Sequence, residues 1–555
     1  FHYGGTDPKE QQELECISGD WLTLLKAMIY SHIEYEHLDA ERLPGAVIEN
    51  GTIQVGRAVY DTLVIPPITT LENSAVEALQ KFIPQGGKVV SFGVTPYENI
   101  QDQTDIDSVS QRLLGMAGSQ VKDRYFNATA SCEVLHSGNT AFVRMPAHIS
   151  TDEMMKLVEK TLRREDDILL TLPAAEVKQV IMGVRENQDG RYVMITNQGK
   201  DAFACEIFDP KATSWYECSF EDGSVRRAGE GKTLKVSFDS FQSRIFCAAE
   251  GESPLQTEAL EAKKEAVEKI TVSTVQPMHI SPVEHNICRL EYFDVALDGK
   301  HYPNVAAGTF IEQFSIHKMA DSENIGFTQS FGTPKMPLIH YPLEARYTAT
   351  FTVETMPSKL ALLFENRAIM GKHTISINGT PIPADRFVPT LVTDFNNTMA
   401  DIHDLVKLGE NVLTVDCTIE ASWHGVSDPL YLMGDFGVVG KTRLTRQPEQ
   451  AVFMPGVVEG FPYYSGELTF TGSFEAKRVS GPVEIRLDKA IYDCVEVLVN
   501  GESLGTRVFT PYCWTVQGEK LHDGKNSITI KVTNTLANML DGRYFDYEAH
   551  KLVEI

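Results

Sequence analysis

The sequence predicts a multidomain protein that joins an α/β domain to all-β segments, a small β-sandwich followed by two larger ones. Three observations carry this reading. Up to about residue 175, apolar residues at helical spacing alternate with short apolar runs. From about 176 the period changes to two, and the C-terminal half holds one strand-and-turn pattern twice. At 555 residues the chain is too long for a single core, and ordinary domain sizes imply roughly three to five domains.

Taken in order, Asp20 precedes Trp21, Leu24, Leu25, Met28 and Ile29, one face of a helix. Val59 to Ile65 reads as a strand ending at Pro66-Pro67, and Ala75, Ala78, Leu79, Phe82 and Ile83 form the face of a second helix. Lys88 to Phe92 reads as the next buried strand. Ser150 and Glu153 form a capping box for a helix that turns Met154, Leu157, Val158 and Leu162 inward, with 168–172 as its partner strand. This gives an α/β domain over 1–175. A small all-β domain follows over 176–249, where Phe203, Cys205 and Ile207, then Leu234, Val236 and Phe238, alternate with polar residues and Asp189-Gly190 marks a hairpin. Residues 250–281 read as a linker, its Glu-, Ala- and Lys-rich start as a solvated helix.

The repeat defines the remainder, with sandwiches expected over 282–447 and 448–555. ISINGTPI (375–382) and VLVNGESL (497–504) both run alternating apolar residues into Asn-Gly, the dipeptide that best tolerates the positive φ angles of a tight hairpin. Gly409-Glu410-Asn411 and Gly524-Lys525-Asn526 follow, each leading into a second alternating strand, Leu413 and Val415 in one copy and Ile528 and Ile530 in the other. Strands at 347–353 and 468–474 precede the turns.

Composition excludes several classes. The net charge of −26 repels phosphate backbones and anionic lipid, so neither nucleic acid nor a membrane surface is an expected partner, and no apolar run reaches the roughly 18 residues of a membrane helix. The nine cysteines are odd in number and scattered, without C-x-x-C or metal-ligand spacing, and read as free, mostly buried thiols. They favour the cytoplasm, with a periplasmic or extracellular site as the alternative. The opening Phe1-His2-Tyr3 reads as the start of a processed or truncated chain.

Several strings imitate chemistry. Gly501-Glu502-Ser503-Leu504-Gly505 matches a nucleophile elbow but follows the Asn-Gly hairpin, and Gly229 to Thr233 imitates a phosphate loop with a strand rather than a helix after it. No catalytic residue is nominated. Exposed aromatic rings beside carboxylates, amides or imidazoles suit the apolar face and hydroxyls of a pyranose. Trp423, His424, Tyr463 and Tyr464 are the candidates. Asp428 and Asp435 bracket an apolar strand and are candidates for sugar hydroxyls or a structural Ca²⁺. No other cofactor is expected. Pro511 to Trp514 reads as core, and Asn534 and Asn538 as holders of loop backbone.

DPLYLMGDFGV (428–438), GFPYYSGELTF (460–470), VEVLVNGESLGTRVFTPYCW (495–514) and VTNTLANML (532–540) occur in an order that resembles the C-terminal region of large bacterial α-L-rhamnosidase-type glycoside hydrolases, and more loosely the sugar-binding sandwich of family 2 glycosidases. The stretch 18–95 looks like the degenerate amidotransferase-like domain behind the barrel of several glycosidases, including family 42 β-galactosidases. Pro66-Pro67-Ile68-Thr69-Thr70 offers no nucleophilic thiol where an active domain of that kind needs one. The resemblance implies jelly-roll or galactose-binding-like sandwiches, carbohydrate as partner, and an upstream (β/α)8 barrel holding the acid/base carboxylates. A homo-oligomer through the amidotransferase-like domain is a further expectation. On this reading the chain is the non-catalytic part of a glycoside hydrolase. The alternatives are a stand-alone glycan-binding protein and a self-contained hydrolase.

Overall fold

Two alternations of strand and helix build the start of the chain. The computed structural model describes residues 8–101, 104–220, 223–251, 268–273, 276–323, 338–392, 396–452, 456–488, 493–546, 549 and 551–555. They fall into two units, Phe1–Leu260 and Glu261–Ile555.

In the first unit the strands Thr62–Ile65, Lys88–Phe92 and Thr140–Arg144 are parallel, and Glu133–Ser137 closes one edge antiparallel. Helices Pro8–Tyr30, Asn73–Phe82, Ile106–Leu114, Gly118–Phe126 and Thr151–Leu162 accompany this sheet. Ser150 caps the last of these by accepting the Glu153 amide at 3.3 Å, and Met154, Leu157, Val158 and Leu162 are buried as the spacing predicts. The expected strand 59–65 is broken at Asp61: Ala58–Tyr60 joins a small antiparallel meander with Thr52–Val55 and Val47–Glu49, while Thr62–Ile65 enters the parallel sheet. The inward face of Pro8–Tyr30 is rotated from the expected one. Cys16, Asp20, Leu24, Ala27 and Met28 are buried, where the helix packs on Thr151–Leu162, and Trp21 is exposed.

Asp20 is a polar group in that apolar core. One carboxylate oxygen accepts from the Tyr125 hydroxyl at 2.9 Å and the His148 amide at 3.2 Å; the other is buried without a partner. Burial pushes its pKa up, against the Tyr125 and His148 hydrogen bonds. A raised folded-state pKa contributes stability that is present below the unfolded value and lost as pH rises through the folded one. Asp20→Asn is therefore expected to raise the Tm at pH 8 and to flatten its decline as pH rises above the ordinary carboxylate range, as measured by thermal melts. An unchanged pH slope would show that Asp20 is not the titrating group.

The period-two region forms a sandwich. One sheet orders Leu169–Thr171, Phe203–Phe208 and Thr233–Phe238; the other orders Val180–Asn187, Gly190–Asn197, Ser243–Ala249, Ser214–Cys218 and Val225–Glu230. The Asp189-Gly190 hairpin and the inward Phe203, Cys205, Ile207, Leu234 and Phe238 agree with the alternation, and Trp215 fills the centre. The strand expected over 168–172 forms, but it pairs with Phe203–Phe208 rather than extending the parallel sheet.

The second unit contains the duplicated sandwiches. In one, Tyr292–Leu297, Leu343–Val353, Gly409–Ile419, Lys372–Ile377 and Thr380–Pro381 lie side by side; in the other, Met278–Pro282, Glu467–Ala476, Gly524–Thr533, Cys494–Val499 and Glu502–Arg507 take the same order. Both Asn-Gly pairs have positive φ, 52° and 80° at Asn378 and Gly379, 51° and 84° at Asn500 and Gly501. These values are those of the hairpin turn the dipeptide favours.

The downstream asparagine of each copy is the lock. Asn411 Oδ1 accepts from Asn378 Nδ2 at 2.8 Å and the Lys407 amide at 2.9 Å, while its Nδ2 donates to the carbonyls of Lys407 and Gly409. Asn526 repeats this with Asn500 at 2.9 Å, the His522 amide at 2.8 Å, and the carbonyls of His522 and Gly524. The repeat in the sequence thus encodes a clasp between a hairpin turn and the loop entering the next strand.

The sandwiches are interleaved in the chain. Glu268–Val272 pairs parallel with Pro482–Leu487, and Met278–Pro282 pairs with Glu467–Ala476, so the end of the stretch expected as linker supplies two strands to the second sandwich. Of the stretch 250–269, expected as helical, residues 252–267 lie outside the described residues and Glu268 and Lys269 begin a strand. Opposite the first large sheet stand Asn286–Leu290, Leu430–Gly434, Leu360–Glu365, Asn397–Asp401 and Val388–Thr390. Among the described residues no helix is long and apolar enough to cross a membrane.

Candidate functional site

The six candidate residues do not converge. Trp423 and His424 lie just after Gly409–Ile419 in the first sandwich, on a turn held by a neighbouring helix. The first amides of a helix lack partners within it. In Phe310–His317 the Phe310 and Ile311 amides donate to the carbonyls of His424 and Ser422, each at 2.9 Å. The backbone on either side of Trp423 is therefore fixed, and its ring is turned out, 58% exposed.

His424 packs edge-on to that ring, with centroids 6.1 Å apart. Its Nδ1 accepts the Glu420 amide at 3.1 Å, a shorter contact than its 3.4 Å approach to the Thr418 carbonyl, and an accepting Nδ1 places the proton of the neutral ring on Nε2. Gly371 makes room behind the imidazole, since a Cβ there would sit 2.7 Å from His424 Nδ1. The result is an exposed aromatic ring on a held backbone, beside an N–H donor.

Asp428 and Asp435 stand at opposite ends of Leu430–Gly434, on the order of 20 Å apart along a strand rising about 3.3 Å per residue. They do not share a ligand. Asp428 is exposed and accepts from the Ser427 hydroxyl at 3.2 Å. Asp435 accepts from the Ser358 hydroxyl at 2.5 Å and lies 2.7 Å from His285 Nδ1. Burial pushes its pKa up, but the hydrogen bonds from Ser358 and His285 outweigh burial and leave it below the ordinary value. The carboxylate sits between the hydroxyl and the imidazole. Ser358 thus donates its hydroxyl hydrogen bond to the carboxylate rather than to the histidine, which is not the order that activates a nucleophile. Asp435 and Ser358 edge an open groove of about 360 Å³, shared with Thr355, Arg446 and Glu449. Among the described residues no cluster of three or more His, Cys, Asp or Glu side chains is placed to hold a metal ion.

Tyr463 and Tyr464 are not surface residues. Tyr463 is 4% exposed in the core of the first sandwich and Tyr464 is fully buried in the core of the second, so neither ring offers a face to a sugar. Burial pushes Tyr463 up to about 12 and raises Tyr464 as well. The Tyr464 hydroxyl accepts the amides of Val283 and Glu284 and donates to the Glu284 carboxylate at 2.6 Å, joining the sandwiches. An adjacent aromatic pair after Gly-Phe-Pro reads as a loop in sequence, and it is buried because two cores meet there.

Other readings hold. Tyr512 and Trp514 are both buried in the second core, and Asn534 and Asn538 bond loop backbone at Gly466, Tyr464, Gly456 and Pro462. Ser503 lies on a hairpin strand with its hydroxyl on Glu496 at 2.7 Å. All nine cysteines are unpaired; five are buried. His285 and Ser358 escaped the sequence reading because they come from segments 150 and 77 residues from Asp435.

Neither a family model nor a curated protein matches the chain. Among solved structures it is similar to a rhamnosidase from Novosphingobium sp. PP1Y at 13% identity, TM-score 0.30, covering 73% of this chain and 36% of that one. It is similar to a β-galactosidase from Bacillus circulans sp. alkalophilus at 12% identity, TM-score 0.28, covering 42% and 38%. A β-glucuronidase from Ruminococcus gnavus aligns at 13% identity, TM-score 0.19, covering 47% and 45%. The chain spans less than half the length of each of these glycoside hydrolases.

Proposed function

We propose that this chain is the non-catalytic, carbohydrate-contacting part of a glycoside hydrolase, supporting a barrel that supplies the acid and base. The observation that carries the reading is the outward Trp423 ring, on a backbone held at both neighbours, beside the His424 imidazole. The ring face suits the C–H side of a pyranose and the imidazole donates to a hydroxyl or ring oxygen. This arrangement binds and orients; it moves no proton in a reaction. The motif order over 428–540 supports an α-L-rhamnosidase-type parent.

Calorimetric titration of the chain with oligosaccharides tests the binding. Trp423→Ala is expected to weaken it about 30-fold, ~2 kcal/mol, as for a central aromatic anchor. Because the ring is exposed, stability is expected to stay within about 0.5 kcal/mol of the parent's. With aryl glycosides headed by the α-L-rhamnoside, the chain alone is expected to give no turnover, and a longer product carrying the barrel to give it. Turnover by the chain alone would overturn the non-catalytic reading.

A further inference from the structure

The clasp end of the second sandwich carries a groove of about 640 Å³, within the range of about 300–1,000 Å³ for small-molecule sites. Its rim holds Arg478, Glu502, Glu519, Lys520, His522 and Asp523, over a floor that includes Val499, Val516 and Leu521. We propose that this groove is a second saccharide site, for a neutral, hydroxyl-rich mono- to trisaccharide, distinct from the Trp423 surface.

The duplication itself separates scaffold from lining. Asn500 Nδ2 bonds the Lys520 carbonyl as Asn378 Nδ2 bonds that of Leu405, and Asn526 Oδ1 takes the His522 amide as Asn411 Oδ1 takes that of Lys407. These bonds set the correspondence: Lys520 stands where the first copy has Leu405, His522 where it has Lys407, Asp523 where it has Leu408, and Glu502 where it has Thr380. Both copies close the same clasp, so the clasp does not require the charged side chains of the second. They are additions to a scaffold that works without them.

The additions are held in place. Asp523 accepts the Arg478 amide at 2.8 Å, Glu519 accepts the Gly481 amide at 3.1 Å, and Lys520 pairs with Glu502. The His522 ring makes no hydrogen bond among the described residues and is exposed at the rim. Two permanent cations face three carboxylates, so the groove has no excess positive charge for a phosphate, sulfate or uronate. Donors and acceptors lining the groove together with apolar Val499, Val516 and Leu521 match the hydroxyl periphery and C–H face of a sugar.

This inference rests on the reading that these sandwiches contact carbohydrate, and the test separates the two. Saturation-transfer NMR on the full chain would use neutral mono- to trisaccharides of galactose, glucose, mannose and rhamnose. His522→Ala and Arg478→Ala change exposed side chains outside the clasp, and melts confirm their folding. The expected result is that each lowers saccharide saturation at least fivefold in a Trp423→Ala background that still binds. If Trp423→Ala alone abolishes binding, the groove proposal falls and the Trp423 reading stands. If only the groove variants abolish it, the groove stands and the Trp423 reading falls. No binding by the parent chain sinks both.

Discussion

Asp209→Ala is expected to destabilise the N-terminal unit by about 4 kcal/mol, the cost of stranding one partner of a buried ion pair. Arg191 is 8% and Asp209 1% exposed. The guanidinium reaches the carboxylate through two bonds, one from Nε to Oδ2 at 2.8 Å and one from Nη2 to Oδ1. Its remaining arm donates to the Asp166 carbonyl at 2.6 Å, and the Lys211 amide donates to Asp209 at 2.7 Å. Removing the carboxylate leaves a cation in low dielectric with one neutral acceptor and an orphaned amide. Urea unfolding followed by the buried Trp215 reads the loss in the same core. The double variant Arg191→Met, Asp209→Leu is expected to recover most of it, because an apolar pair carries no desolvation cost. A single variant costing under about 1 kcal/mol would show that water enters the site.

Asn411→Asp is expected to cost the first sandwich about 3–5 kcal/mol, and Asn526→Asp the second by a similar amount. Each amide is fully buried and uses both ends, Oδ1 accepting two N–H groups and Nδ2 donating to two carbonyls. A carboxylate keeps the acceptor but turns the donor into a second acceptor facing carbonyl oxygens. Hydrogen exchange locates the damage: each variant is expected to lose protection in its own sandwich's hairpin first. Equal loss in both sandwiches from either variant would mean that they unfold as one unit.

The clasp is legible in the amino-acid sequence because its parts lie close together there and carry their own geometry. Asn-Gly encodes the turn, the following strand encodes its face by alternation, and two copies in one order remove chance. Capping at Ser150 is legible for the same reason. The candidate surface is legible only in part. Trp423 stands out as a loop aromatic, but the helix amides that pin its backbone come from more than a hundred residues earlier, and nothing near Tyr463-Tyr464 announces that two cores close over them.

Local backbone preference and apolar period are enough to set the α/β start, the change to period two, the turns and the duplication. Long-range packing alone decides that Glu268–Val272 and Met278–Pro282 complete a sandwich whose other strands lie from Gln450 onward, that Asp435 gathers Ser358 and His285, and which rings remain exposed. The physical reason is that strand pairing and burial are not local properties: a β-strand satisfies its backbone with whatever edge the folded chain presents, and a side chain is buried by neighbours that no local pattern names.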